Sequence, residues 1–214
     1  MGEKRKLWFA TGNIGKIAEA QLILGPLGYE VSKFTVAGQA PEIIEPQADW
    51  LEEVAMEKLR QAREILAAVG KGDDAVMVED SGLFVPSLND FPGVYSAYAL
   101  KTIGNMGMLR LMAEQDDRSA AFHAVAALWD GTKNHFGSGR CNGRIAEVAS
   151  GDHGFGFDPI FIPNDLDSEG VQLAPGKHGV VSTDGLTFGA VDMEVKQKFS
   201  HRRRALEALF ASIS

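Results

Sequence analysis

Glu79 and Asp80 are adjacent carboxylates that close an apolar run, Ala75, Val76, Met77 and Val78, within the segment VMVEDSGLFVPSLNDFPGVYSA from Val76 to Ala97. The run reads as a buried strand, and its charged end is then expected to open onto a cleft. A carboxylate at the end of a central strand of an α/β sheet is where such sheets place ligand and metal groups. Side chains alternate along a strand, so both acids serve one site only if the chain bends there, which Gly82 would permit. An isolated Glu-Asp pair is also compatible with two solvated loop residues, and other parts of the chain have to decide between the readings.

A second chemistry-bearing stretch is Thr11-Gly12-Asn13-Ile14-Gly15-Lys16, set between the apolar residues Leu7 to Ala10 and a helical pattern carrying Ile17, Gln21 and Leu24. A strand, a glycine loop and a helix start present backbone N–H groups and a helix dipole to a phosphate. This is not the P-loop, which needs glycine at position 10 and Ser or Thr at 17, where this chain has Ala10 and Ile17. A plain strand-to-helix turn with a solvated lysine fits the same residues. A third stretch, GDHGFGFDPIFIP from Gly151 to Pro163, combines glycines that let backbone approach a ligand with Phe155 and Phe157, whose rings offer flat faces to a base. It could also be an aromatic turn that only closes the core. The fourth is Ser200-His201-Arg202-Arg203-Arg204, the start of an amphipathic helix with Leu206, Leu209, Phe210 and Ile213. Three arginines oppose a helix dipole at its N-terminus, so an anion there would account for at least one of them. Arg202, with His201 and the upstream Lys196, is assigned to ligand; Arg203 and Arg204 are read as solvated.

These groups need elements to hold them. Tyr29 to Val36 reads as a second strand paired with the first. GQAPEIIEPQ, from Gly38 to Gln47, is a loop that holds Glu42 and Glu45 outside regular structure. Asp49 and Glu52 have capping-box spacing, and Leu51, Val54, Ala55, Leu59, Ala62, Leu66 and Val69 then recur at helical spacing, with Lys58 read as a solvated or flanking charge and a phosphate-facing role as the alternative. Thr102 to Glu114 is expected to be a helix weakened by Gly104 and Gly107. Ser119 to Asp130 is a strand, and Asp130-Gly131 turns it into a second strand from Asn134 to Arg140. His123 and His135 lie in these strands without a second ligand at metal spacing and are read as packed. Asn164 to Gly189 is polar and aperiodic, a long loop or hairpin.

Composition narrows the classes. A chain of 214 residues with 45 % hydrophobic content can bury a full core in one domain of two joined lobes, 1–214. It contains no apolar run long enough for a membrane span, and the apolar part of its basic amino terminus is too short for a signal peptide. Cys141 is the single cysteine, so no internal disulfide forms, and a reducing, cytoplasmic location is expected. A net charge of −8 argues against broad attachment to a nucleic-acid backbone.

Together the parts are those of a metal-dependent nucleotide hydrolase, with Mg²⁺ bridging a few carboxylates such as Glu45 and Asp80 to substrate phosphates. The sequence resembles the inosine triphosphate pyrophosphatases, the XTP/dITP nucleoside triphosphate pyrophosphatases. The resemblance rests on ATGNIGK at 10–16, EDSG at 79–82 with FPGVYSA at 91–97, GFGFDPIF at 154–161 and KQKFSHRRRAL at 196–206, in the family's order and across nearly the whole chain.

The resemblance implies hydrolysis of ITP, dITP or XTP to the monophosphate and pyrophosphate, which removes deaminated purines from the precursor pool. It implies that Thr11, Gly12, Asn13, Ile14, Gly15 and Lys16 hold the phosphates. Asp80 would bind metal and accept the proton, Glu45 would bind Mg²⁺, and Glu79, where the family often has aspartate, is a further candidate ligand. Ser81 would contact substrate, and the segment Phe155, Gly156, Phe157 and Asp158 would supply the ring that stacks on the base. Lys196 would reach substrate, while His201 and Arg202 would read the 6-oxo group. Such a pocket rejects adenine because an exocyclic amine would face donors and leave buried groups unpaired. The implied fold is α/β, an elongated mixed sheet flanked by helices, with two lobes and a central cleft, and the implied assembly is a homodimer. The segment from Asn164 to Gly189 looks longer than is usual in the family. A pyrophosphatase for pyrimidine or methylated nucleotides would share the phosphate machinery, and a non-catalytic nucleotide sensor would share the basic and aromatic groups but would not need Asp80.

Overall fold

A computed structural model describes residues 4–12 and 14–213. The strands are β1 (Arg5–Phe9), β2 (Tyr29–Lys33), β3 (Ala75–Phe84), β4 (Ser119–Trp129), β5 (Asn134–Ile145) and β6 (Phe161–Pro163). The helices are α1 (Ile14–Leu24), α2 (Leu51–Ala68), α3 (Ser96–Thr102), α4 (Gly104–Leu111), α5 (Met193–Lys198) and α6 (His201–Ala211). The strands form one sheet in the order β2-β1-β3-β4-β5-β6. β1 pairs in parallel with β2 and β3, whereas β5 and β6 are antiparallel, so the sheet is mixed and the fold is α/β as the sequence predicts. The parallel β1–β2 pair needs a crossover, which α1 supplies. Leu7, Trp8 and Phe9 of β1 and Ala75 to Val78 of β3 are all buried, as strands covered on both faces must be.

The main departure from the expected elements concerns β3. The strand does not stop at Val78 but runs to Phe84, so Glu79 and Asp80 lie in its interior rather than at its end. Nor does Gly82 serve as a hinge for the pair. It is a point of close backbone approach, because a Cβ there would run into the Gly93 carbonyl oxygen. Two helices, α3 and α4, replace the single helix expected from Thr102; Ile103 lies between them, and α4 opens on Gly104, whose φ is +61°. The N-cap of α2 is Trp50, with no side-chain cap hydrogen bond, so Asp49 and Glu52 do not form the expected capping box. β5 continues past Arg140 to Ile145.

The chain divides into two compact units, and the division falls within β3, β4 and β5 and again between His201 and Arg202. Unit 1 comprises 1–80, 124–139 and 202–214. Its core includes Leu7 and Phe9, Ala20 and Leu24 of α1, Ala75 and Met77, and Leu206 and Leu209 of α6. Unit 2 comprises 81–123 and 140–201 and is built around Leu83, Met108, Phe157, Phe161, Phe188 and Phe199. No helix among the described residues is long and apolar enough to cross a membrane.

Candidate active site

In unit 1 the β3 carboxylates enter two charge networks. Glu79 is 5 % exposed, and its Oε2 lies 2.5 Å from Lys16 Nζ, while Oε1 lies 3.4 Å from Arg202 Nε. Asp80 Oδ2 meets Lys58 Nζ at 2.9 Å, and the same ammonium lies 3.5 Å from Glu45 Oε1. Neighbouring residues on a strand point to opposite faces, which explains why consecutive acids engage different cations. The first network joins the start of α1 to the start of α6, and the second joins the loop before α2 to α2 and β3.

The electrostatics of the second network follow from burial. Desolvation pushes the Asp80 carboxyl above its ordinary range; Lys58 pulls it back, and the negative charges of Glu45 and Glu79 push it further up. Burial works to lower Lys58, yet Asp80 and Glu45 outweigh it and hold the ammonium above its ordinary value. The ion pair therefore secures the lysine's proton, while Asp80 is left with a greater proton affinity than a solvated aspartate.

Around the glycine loop, Thr11 is half-buried, Gly12, Ile14 and Gly15 are exposed, and α1 begins at Ile14. The loop thus stands at the positive end of an eleven-residue helix with open space beside Gly12. Asn13 lies outside the described residues.

Unit 2 holds the groups expected to meet the base apart from Arg202, which belongs to unit 1. Phe155 is 52 % exposed, and Lys196 Nζ lies 4.8 Å from its ring centroid. Asp158 is buried, accepts the Phe155 N–H at 2.6 Å and pairs with Lys196, so it fixes both neighbours of the loop. Gly156 has φ of +70°, and its carbonyl accepts a bond of 3.1 Å from Asn105 Nδ2. Phe157 is the correction here. At 3 % exposure its ring belongs to the apolar core, so only Phe155 keeps a face for stacking. The ring of His201 is buried and stacks on Phe122 with 5.1 Å between centroids and 11° between planes. Ser81 is half-buried in β3.

Sequence reasoning did not foresee the pairing of Lys58 with Asp80 and Glu45. It occupies the apolar side of α2, three residues after Ala55 and four after Val54, both of which are buried, and its side chain is only 18 % exposed. A lysine within an apolar helical stripe was the available signal. Its neighbours offer a hard cation suitable ligands, since Glu45 and Asp80 supply oxygens close enough to share one ammonium. Among the described residues no group of three or more His, Cys, Asp or Glu is arranged to hold a metal. Mg²⁺ takes one or two carboxylates and completes its shell with water and substrate phosphates. Glu79 already faces two cations and is a poorer ligand than the other two.

Comparison with known proteins extends over the whole fold. The chain is 43 % identical over 201 residues to the dITP/XTP pyrophosphatase of Thermococcus kodakarensis, covering 94 % of this chain and 93 % of the relative. It is 42 % identical over 203 residues to the dITP/XTP pyrophosphatase of Methanopyrus kandleri, with the same coverage. The Ham1 protein of Staphylococcus aureus superposes with a TM-score of 0.77 at 28 % identity, over 98 % of each chain. With residues 7–212 matching its family description, the chain belongs to the Ham1 family.

Proposed function

We propose that this protein is a Mg²⁺-dependent nucleoside triphosphate pyrophosphatase that hydrolyses ITP, dITP and XTP to the monophosphate and pyrophosphate, and so clears deaminated purines from the nucleotide pool. The observation that carries the reading is the Glu45–Lys58–Asp80 network, an acid of raised proton affinity beside a second carboxylate and a buried cation. It occurs in a chain more than two-fifths identical to a dITP/XTP pyrophosphatase.

Asp80 acts as proton acceptor. Oxygen of a water attacks one phosphorus of the α–β bridge in line, a P–O bond forms, the bridging P–O bond breaks, and the group across the bridge leaves with the electron pair: pyrophosphate if the α-phosphorus is attacked, the monophosphate if the β-phosphorus is. The water's proton passes to the Asp80 carboxylate, which Lys58 keeps ionised against the penalty of burial. Lys16, steered by Glu79, and the amides of the glycine loop offset charge on the phosphates. Glu45 and Asp80 would hold Mg²⁺, which supplies Lewis-acid polarisation of phosphoryl oxygens when bound. Phe155 stacks on the base, Lys196 and Ser81 contact substrate, and His201 and Arg202 read the 6-oxo group. The whole chain, 1–214, works as one domain of two lobes, as a cytoplasmic homodimer that needs neither nucleic acid nor membrane.

The test is pyrophosphate release from ITP, XTP, dITP, ATP, GTP, dTTP and UTP, with and without Mg²⁺. Turnover of the first three well above the rest, and only with metal, is expected. Preference for dTTP or UTP, or binding without pyrophosphate release, would overturn the assignment.

A further inference from the structure

Glu45 stands in a stretch, 40–48, without helix or strand, so no regular element aims its carboxylate. A side chain from α2 does. Gln61 Oε1 accepts the Ile44 N–H at 2.8 Å, and Gln61 Nε2 donates to the Ile44 carbonyl at 2.9 Å. Both backbone polar groups of the residue before Glu45 are therefore gripped by one amide. The same Nε2 donates to Glu57 Oε1 at 3.0 Å, one turn back on α2. Hydrogen bonds from Arg60 and then Gln61 hold the Glu57 carboxyl down at about 2, so it stays an acceptor throughout the working pH range. Two acceptors facing Nε2 and one donor facing Oε1 allow only one orientation of the amide. Lys58 precedes Gln61 by three residues, so adjacent positions on one helix surface hold the Glu45 carboxylate and the backbone that carries it.

We propose that Gln61 is a positioning residue for Glu45: by clamping Ile44 to α2 it sets where the Glu45 carboxylate stands beside Asp80, and thereby the affinity of this pair for a divalent cation. The inference rests on the reading of Glu45 as a metal ligand. Gln61 itself touches neither metal nor substrate.

Two variants test it. Gln61→Met keeps the length and loses the bonds, while Gln61→Glu places an acceptor against the Ile44 carbonyl and the Glu57 carboxylate. Three measurements apply to the full-length protein: hydrogen exchange over 40–48, Mn²⁺ binding by electron paramagnetic resonance without substrate, and pyrophosphate release from ITP as Mg²⁺ is varied. Faster exchange is expected, and the Mn²⁺ dissociation constant and the half-saturating Mg²⁺ should rise about tenfold, as loss of an outer-shell partner does elsewhere. The increase should be greater in Gln61→Glu. At saturating Mg²⁺ kcat and KM should stay within about twofold of wild type, a split that general loss of structure would not produce. The inference is overturned if both variants keep wild-type Mn²⁺ affinity, if wild type binds no Mn²⁺, or if kcat falls with the Mg²⁺ requirement unchanged. Should wild type bind Mn²⁺ without hydrolysing any triphosphate, the functional assignment fails, and weaker Mn²⁺ binding with faster exchange in the variants still supports the role of Gln61.

Discussion

Lys58 Nζ lies 2.9 Å from Asp80 Oδ2, at a depth where burial has already raised the proton affinity of the carboxylate. A base must be ionised to accept a proton. The acid limb of kcat/KM for ITP should therefore lie above the ordinary aspartate value of 3.8, with Lys58 preventing it from moving further. Lys58→Gln removes that restraint, and the limb should move to higher pH; a limb that stays in place in the variant would show that Asp80 is not the titrating group. Asp80→Asn should lose about 10²-fold or more in kcat at saturating Mg²⁺.

The same shifts set the pH dependence of stability. The folded chain keeps the Asp80 proton at pH values where the unfolded chain has lost it, so stability falls as pH rises from 3.8 through the raised folded value. Lys58 is raised, so its contribution is complete below 10.5 and is lost as pH climbs through its folded value. Denaturant midpoints across these two windows should fall with rising pH in wild type, and the lower window should flatten in Asp80→Asn.

Phe155 and Phe157 differ by two positions and by nearly all of their exposure. Phe155→Ala removes an exposed ring, so stability should change by no more than about 0.5 kcal/mol, while KM for ITP rises. Phe157→Ala empties a core position and should cost about 3–5 kcal/mol in urea unfolding. Equal effects of the two on KM, after correction for the unfolded fraction, would contradict the assignment of stacking to Phe155.

Periodicity made α2 legible because its buried residues, Leu51 to Leu66, repeat with the turn of the helix. Motif spacing singled out Lys16, Asp80 and the 154–161 loop, and the fold sets Lys16 against Glu79 and Asp80 against Lys58. Two things were not legible. The extension of β3 beyond Val78 places two carboxylates in a strand interior, which local patterning disfavours and which the cations Lys16, Arg202 and Lys58, distant in sequence, help make tolerable. The separation of Phe155 from Phe157 was equally hidden, since strand alternation would put residues two apart on one face, whereas these two lie in a turn with Gly156 at φ of +70° between them. The pairing of Lys58 was not foreseen because charge was given more weight than its place on the apolar stripe.

Gly82 offers a test of packing next to the acid pair. Its missing Cβ leaves room for the Gly93 carbonyl, and Ser96 Oγ ties the same corner by donating to that carbonyl at 2.7 Å and accepting the Leu83 N–H at 2.8 Å. Neither neighbour is a flexible side-chain end that can swing away, because one is backbone and the other is bonded twice. Gly82→Ala should therefore destabilise by about 1–3 kcal/mol through overpacking. A midpoint equal to wild type in urea unfolding would show that the corner is softer than this geometry implies.

Asp130 closes the β4–β5 turn. It accepts the Thr132 N–H at 2.7 Å, the Thr132 hydroxyl at 2.6 Å and the Lys133 N–H at 2.9 Å, and its other oxygen lies 2.6 Å from His135 Nε2. His135 Nδ1 in turn lies 3.2 Å from the Ser212 carbonyl, so the turn is tied to the end of α6. Partial burial pushes the Asp130 carboxyl up, but the bonds from Thr132, Lys133 and His135 outweigh it and hold the group well below the ordinary carboxylate range. A depressed carboxyl contributes stability above its unfolded value of 3.8 and loses it as pH falls through the folded value. Asp130→Ala should thus cost about 1–3 kcal/mol at neutral pH. That deficit should shrink as the pH is lowered below 3.8, while kcat for ITP at saturating Mg²⁺ stays at the wild-type level because the turn has no part in the chemistry. Urea unfolding at a series of pH values measures the deficit, and one that stays constant to the lowest pH would mean that the carboxylate's charge is not what secures the turn.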